Sequence, residues 1–117
     1  MSVQLKIDTR LEGTETAVIS LAGEVDVANA GQVKDAAARL ISDGAKTLVV
    51  DLSGTEYMDS SGLGTLVGLL KRVREAGGEM PIAGAQPRVK RVFEVTGLTR
   101  VFGIYDDVEA ALEEVRR

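Results

Sequence analysis

The chain has 117 residues, with 14 Lys and Arg against 18 Asp and Glu, and a formal net charge of −4. It contains no Cys, His or Trp, which excludes disulfide frames, thiol nucleophiles, zinc clusters and Ser-His-Asp triads. A hydrophobic content of 44% with 27% charged residues is typical of a globular protein. At this length we expect residues 1–117 to form a single domain.

Membrane and nucleic-acid binding are both disfavoured by the sequence. The uncharged stretch at residues 62–70 is much shorter than the roughly 20 apolar residues that a membrane span needs. A net negative charge and few aromatic side chains argue against nucleic-acid binding. The first residues show no signal-peptide pattern. We therefore expect a cytoplasmic protein without a metal or cofactor, which contacts neither a membrane nor nucleic acid directly.

Apolar patterns along the chain predict nine elements in the order ββαβαβαβα. Alternating or β-branched runs predict five strands, at residues 3–9, 17–23, 47–52, 80–83 and 101–105. Apolar residues at 3.6-residue spacing predict four helices, at residues 29–42, at 62–76, from Pro87 to a stop at Gly97, and after a capping box at Asp106 and Glu109. Helices that follow strands require parallel crossovers. The prediction is an α/β fold whose mixed sheet starts with an antiparallel hairpin, followed by βαβαβα units.

The most informative segment joins the third strand to the second helix. Residues 47–52 are apolar enough to be buried on both faces of the sheet, whereas residues 53–61 are predicted to be a polar segment after the strand. Ligands of parallel α/β sheets bind at this edge, where helix N-termini present free N–H groups. Ser61 is our candidate for the residue that caps the helix predicted to begin at Gly62.

Three enzyme motifs fit this segment poorly. The G-x-G-x-x-x-G pattern at residues 62–68 is close to a dinucleotide fingerprint, but about nine residues separate it from the predicted strand end, where the fingerprint needs an immediate turn. A nucleophile elbow around Ser60 would need Gly in place of Met58 and a His as base. The Gly-Lys-Ser/Thr sequence of a P-loop is absent.

Carboxylates near the strand ends offer a different chemistry. A phospho-aspartate site with Mg²⁺ would draw on Asp26, Asp51 and Asp59. The first strand, however, ends in Thr9-Arg10 rather than in an acidic pair. Asp51 lies within an apolar run, and we expect its side chain to have a structural role.

Four motifs occur in an order that carries a family resemblance. They are Gly-Glu-Val-Asp at 23–26, Leu-Val-Val-Asp-Leu-Ser at 48–53, Met-Asp-Ser-Ser-Gly-Leu-Gly at 58–64 and Lys-Arg-Val-Phe-Glu-Val-Thr-Gly-Leu at 90–98. Together they resemble the STAS domain, and specifically the bacterial anti-anti-sigma factors, which are antagonists of anti-sigma factors. The resemblance spans nearly the whole chain.

The resemblance implies a partner switch rather than an enzyme. Such a protein binds an anti-sigma factor that is also an ATP-dependent serine kinase, and binding frees the sigma factor. The kinase phosphorylates the first serine of Asp-Ser-Ser-Gly, which is Ser60, and the complex dissociates until a serine phosphatase removes the phosphate. The implied partner-binding residues are Asp26, Asp59, Ser60, Ser61, Gly62 and Leu63.

Two points stay open at the level of the sequence. Leu63 can serve as an apolar partner contact, although its helical spacing favours a core position. The alternative function is a STAS module that acts as a scaffold of a stress complex or as an accessory of a lipid transporter, in which Ser60 would carry no phosphate.

Overall fold

The predicted order of elements is confirmed in a computed structural model, in which we describe residues 4–116. The strands are β1 (Lys6–Leu11), β2 (Thr16–Val25), β3 (Thr47–Met58), β4 (Ile82–Ala83) and β5 (Ile104–Tyr105). The helices are α1 (Ala30–Ser42), α2 (Ser60–Glu75), α3 (Pro87–Val95) and α4 (Val108–Val115), with a short 3-10 helix at Leu98–Arg100. Val3, which opens the first predicted strand, lies outside the described residues.

The sheet is mixed, with the strands in the order β1-β2-β3-β4-β5. β1 and β2 form an antiparallel hairpin, while β3, β4 and β5 each join the sheet in parallel. Each parallel step is bridged by a helix, as the sequence pattern requires. The predicted α/β fold, with a mixed sheet and a hairpin at its start, is therefore confirmed.

Helices cover both faces of the sheet unequally. The larger core cluster joins α1, α2 and α3 to one face, where Leu48, Leu66 and Phe93 are almost fully buried. Phe93 meets Phe102 edge-to-face at 5.6 Å between ring centroids. On the other face, Leu112 of α4 belongs to a smaller cluster that also contains Val49. Burial of β3 on both faces, which its apolar sequence predicts, is confirmed.

β3 is longer than predicted and contains most of the supposed polar segment. Between Ser20 and Val25 of β2, the paired stretch of β3 runs from Asp51 to Met58, so β3 carries two extra residues at register shifts. Such bulges disturb the period of two by which a strand is recognised in a sequence. Thr55 is fully buried, and its hydroxyl donates to a backbone carbonyl of β2 at 2.7 Å. The prediction that the third strand ends at residue 52 is therefore wrong.

Other boundaries differ from the prediction by a few residues. β1 extends to Leu11 and β2 to Val25, whereas β4 and β5 have only two residues each. α4 is capped by Asp107, whose carboxylate accepts the N–H of Ala110 at 2.8 Å, so Asp106 is not the cap. Among residues 4–116, no helix combines the length and the apolar character that crossing a membrane requires.

Candidate functional site

The candidate site lies where β2 and β3 end and α2 begins. Asp59 is the only residue between the last residue of β3 and the first residue of α2, which is Ser60. Val25 pairs with Met58, so the loop that follows β2 lies beside the start of α2. The Ser60 side chain is exposed at the first position of the helix. The fold thus presents one hydroxyl to solvent at a helix N-terminus.

Asp59 caps α2 and ties the two segments together. Its Oδ1 accepts the backbone N–H groups of Ser61 at 2.9 Å and of Gly62 at 3.0 Å. Its Oδ2 accepts the N–H of Val27, in the loop after β2, at 3.2 Å. A carboxylate at this position also interacts favourably with the helix dipole. The prediction that Ser61 caps the helix is therefore wrong, because α2 begins two residues earlier than predicted.

The loop after β2 is held by its own polar side chains. Asp26 Oδ1 accepts the N–H of Ala28 at 3.0 Å, and the N–H of Asp26 donates to Asn29 Oδ1 at 2.9 Å. Asn29 Nδ2 in turn donates to the carbonyl of Glu24 at 2.8 Å. Val27 stands at the tip with its side chain 78% exposed. Val27 was not among the predicted site residues, although an apolar residue in a polar turn between Asp26 and Asn29 is a signal for an exposed side chain.

The other predicted site residues differ in how deeply they are buried. Asp26, Asp59 and Ser61 are half-buried beside the exposed Ser60, whereas Gly62 is buried. Leu63 is only 9% exposed and belongs to the main core cluster, which confirms the core position that its spacing favours. Partner contact through these residues stays a prediction.

A shallow groove runs from the site along the seam between α1 and α2. Small residues on α2 form its floor, because Gly64 and Gly68 leave open space where a side chain would stand. Lys34 of α1 and Arg72 of α2 line it together with Ser61. The groove therefore extends the surface beside Ser60 and gives it a basic flank.

The three aspartates considered for a Mg²⁺ site, at positions 26, 51 and 59, do not lie together in the structure. Asp26 and Asp59 are linked through Val27, but Asp51 accepts the hydroxyl of Ser20 and the N–H of Ser53, both at 3.0 Å. Its expected structural role is confirmed. Within the described part of the chain, no group of three or more acidic side chains is placed to hold a metal ion.

The structure gives a different reason from the sequence for rejecting a dinucleotide-binding fingerprint at residues 62–68. β3 runs to Met58, so only residues 59–61 precede Gly62, and the spacing argument from the sequence is wrong. Gly62 and Gly64 nevertheless lie inside α2, where they cannot supply the tight turn between strand and helix that the fingerprint requires.

A second cleft lies at the end of the sheet where β4 and β5 begin, away from Ser60. Arg74, Glu79 and Tyr105 are among its lining residues. Burial, reinforced by the negative charges of Glu114 and Glu79, raises the pKa of Tyr105 above its ordinary value. A phenol with a raised pKa stays protonated at neutral pH, so Tyr105 stays uncharged in this cleft.

We expect the Asp59 cap to make a measurable contribution to the free energy of unfolding. We expect Asp59→Ala to lower the free energy of unfolding by about 1 kcal/mol, because two N–H groups of α2 lose their acceptor. Asp59→Asn keeps a side-chain oxygen at the cap and is the matched control. Urea unfolding of both variants measures the difference, and an equal loss in the two would contradict the assigned role of the side-chain acceptor.

Comparison with known proteins identifies the family. The STAS domain model matches residues 7–111, so the chain belongs to the STAS domain family, as the four motifs suggested. A solved structure of a proposed anti-sigma factor antagonist from Thermotoga maritima is 30% identical, with a TM-score of 0.84 and 95% of each chain covered. The anti-sigma factor antagonist SpoIIAA, solved in its unphosphorylated form, is 26% identical with a TM-score of 0.84, over 95% of this chain and 96% of that one.

The sequence alignments with named relatives are shorter. The anti-sigma F factor antagonist of Paenibacillus polymyxa is 38% identical over 55 residues, which are 47% of this chain and 47% of the relative. The chain is thus aligned with about half the length of the curated relatives it matches. The structural similarity, in contrast, extends over nearly the whole fold.

Proposed function

We propose that this protein is an anti-sigma factor antagonist. It binds an anti-sigma factor in the cytoplasm and so frees the sigma factor, and it has no enzymatic activity of its own. The observation that carries the proposal is the exposed Ser60 at the first position of α2, beside the loop at residues 26–29, in a fold shared with antagonists.

The switch proposed for this complex is phosphorylation of Ser60 by the anti-sigma factor, acting as a serine kinase. Ser60 is the better acceptor because it is exposed, whereas Ser61 is half-buried and its N–H is bound by Asp59. A phosphate adds about −1.5 to −2 charges. At a helix N-terminus the free protein tolerates that charge, while a partner surface pressed against it does not. Removal by a serine phosphatase restores binding.

The surface around Ser60 supports a switch in which the phosphate charge itself repels the partner. Val27 supplies an apolar contact at its rim, and Asp26 and Asp59 add carboxylates. A partner that accepts these groups has little capacity for further negative charge at the same point. The structure of SpoIIAA, which shares this fold, was solved in an unphosphorylated form, and this supports the proposal of a switch by phosphate.

Displacement of the sigma factor tests the proposed function. Adding the purified chain to a preformed complex of the anti-sigma factor and its sigma factor should release the sigma factor, detected by size-exclusion chromatography. Release that never occurs, with no binding to the anti-sigma factor, would contradict the proposal. Co-purification with transporter subunits instead would favour the accessory-module alternative.

Val27 provides a variant with a matched control. We expect Val27→Glu to weaken binding of the anti-sigma factor about tenfold, because it replaces an exposed apolar contact with a charge near Asp59. Val95→Glu adds the same charge at a 69% exposed position at the far end of α3 and should bind normally. Fluorescence anisotropy titrations compare the two, and equal affinities would exclude Val27 from the interface.

A further inference from the structure

Within residues 4–116, β1 has only β2 as a neighbour, so its outer edge is unpaired in the described part of the chain. The N–H of Glu12, just after β1, donates to the carbonyl of Thr16 at 2.8 Å, and the antiparallel register is unbroken along Lys6–Leu11. In such a ladder, alternate residues point their backbone groups towards the partner strand and away from it. Counting back from Glu12, three residues direct their N–H and C=O groups at the free edge: Ile7, Thr9 and Leu11.

The side chains of the edge strand are sorted by face. Those on the face of α4 alternate in charge: Lys6, Asp8, Arg10 and Glu12. Neighbouring members form ion pairs, at 3.9 Å between Lys6 and Asp8 and at 2.6 Å between Arg10 and the partly buried Glu12, which also pairs with Arg116 at 3.8 Å. On the opposite face, Ile7 packs against the core, whereas Leu11 is 69% exposed.

We propose that β1 pairs antiparallel with β1 of a second copy of this chain, centred on Thr9. In this register Thr9 faces Thr9 of the other copy, and Ile7 faces Leu11 of the other copy. All three residues present their backbone groups to the free edge, so every one of those groups finds a partner. Two sheets then become one continuous sheet across a two-fold axis.

The charge pattern selects this register over its neighbours. With Thr9 at the centre, Asp8 faces Arg10 of the second copy and Lys6 faces Glu12, each twice by symmetry. A centre at Asp8 would oppose Asp8 to itself and Lys6 to Arg10, and a centre at Arg10 would oppose Arg10 to itself and Asp8 to Glu12. Like charges directly opposite each other destabilise a strand pair, whereas opposite charges stabilise it. Only one of the three registers is complementary.

The same register covers the exposed apolar residue of β1. Leu11 of the second copy lies beside Ile7, at a shallow groove between β1 and α1 whose lining includes Ala36 and Leu40. Ser60 stays accessible, because β2 separates β1 from β3 and the start of α2. Association through β1 is therefore independent of the proposed partner switch.

Amide hydrogen exchange tests the pairing directly. As the protein concentration rises, exchange at Ile7, Thr9 and Leu11 should slow, while sedimentation reports a doubled mass. Lys6 and Asp8, whose amides point towards β2, should exchange at an unchanged rate. A chain that stays monomeric at millimolar concentration overturns the proposal, and so does a dimer that leaves the three edge amides unprotected.

Charge exchange provides a test of the register. Asp8→Arg and Arg10→Asp should each raise the dimer dissociation constant about tenfold, because each puts like charges opposite one another twice. An equimolar mixture of the two variants makes every opposed pair complementary and should restore association. A mixture that associates no more tightly than its components would overturn the register.

Leu11 and Val95 form a matched pair of controls, since both are 69% exposed. Leu11→Ser should weaken the dimer, whereas Val95→Ser should not. Equal effects of the two substitutions would exclude Leu11 from the interface and overturn the proposed pairing.

Discussion

Ser60→Asp is expected to weaken binding of the anti-sigma factor about a hundredfold without unfolding the protein. A unit charge opposed at about 5 Å, with an effective dielectric constant near 20, costs about 3 kcal/mol, which corresponds to that factor in the dissociation constant. The charge enters at an exposed position next to the carboxylate of Asp59. In the free protein the first turn of a helix favours an acidic residue, so the free energy of unfolding should not fall.

Two variants separate this effect from size and from net charge. Ser60→Asn introduces a side chain of the same size without the charge and should bind almost normally. Ser42→Asp adds the charge at the exposed end of α1, at the other edge of the sheet, and should also bind normally. Calorimetric titration measures all three affinities. Equal weakening by Ser60→Asp and Ser60→Asn would contradict an electrostatic switch.

Gly62→Ala is expected to lower the free energy of unfolding by about 2 kcal/mol. A Cβ at this position would lie 2.6 Å from Met58 Cγ and 2.9 Å from Val25 Cγ1, so the side chains beneath the start of α2 would have to move. Gly62 thus lets the ends of β2 and β3 pack directly under the helix that carries Ser60. The added methyl group displaces that packing even though Ala is a better helix former.

Gly64→Ala is the matched control in the same turn. Nothing lies within 4 Å of the Cβ that it would add, so only the helix propensity changes. We expect the free energy of unfolding to rise by about 0.5 to 1 kcal/mol. Urea unfolding of the two variants should therefore give shifts of opposite sign, and shifts of the same sign would contradict the close packing at Gly62.

The sequence predicted the fold because its periodicities are strong and local. Apolar spacing on α1 and α2 and the β-branched run of β3 each indicate one type of element, and their order requires parallel crossovers after the first hairpin. The length of β3 was not predictable in the same way. Its second half follows β2 through bulges, and bulges depend on a pairing between strands that are distant in the sequence.

The sequence placed the candidate segment between a strand and a helix, but it did not predict the contacts within that segment. Asp59, Ser60 and Ser61 all suit a helix cap, and the choice among them depends on where β3 ends. Because β3 reaches Met58, Asp59 becomes the cap and Ser60 is left exposed. The bond from the Val27 N–H to Asp59 joins residues 32 positions apart, so no local pattern could indicate it.

The proposed switch depends on one hydroxyl group, and phosphate mapping tests it most directly. The wild-type chain, Ser60→Ala and Ser61→Ala are incubated with the cognate anti-sigma factor and ATP, and the phosphorylated residue is located by mass spectrometry. We predict that phosphate is found on Ser60 in the wild type and in Ser61→Ala, that Ser60→Ala acquires none, and that the phosphorylated chain no longer displaces the sigma factor. Undiminished phosphorylation of Ser60→Ala, or a phosphorylated chain that binds as tightly as the unmodified one, would contradict the account.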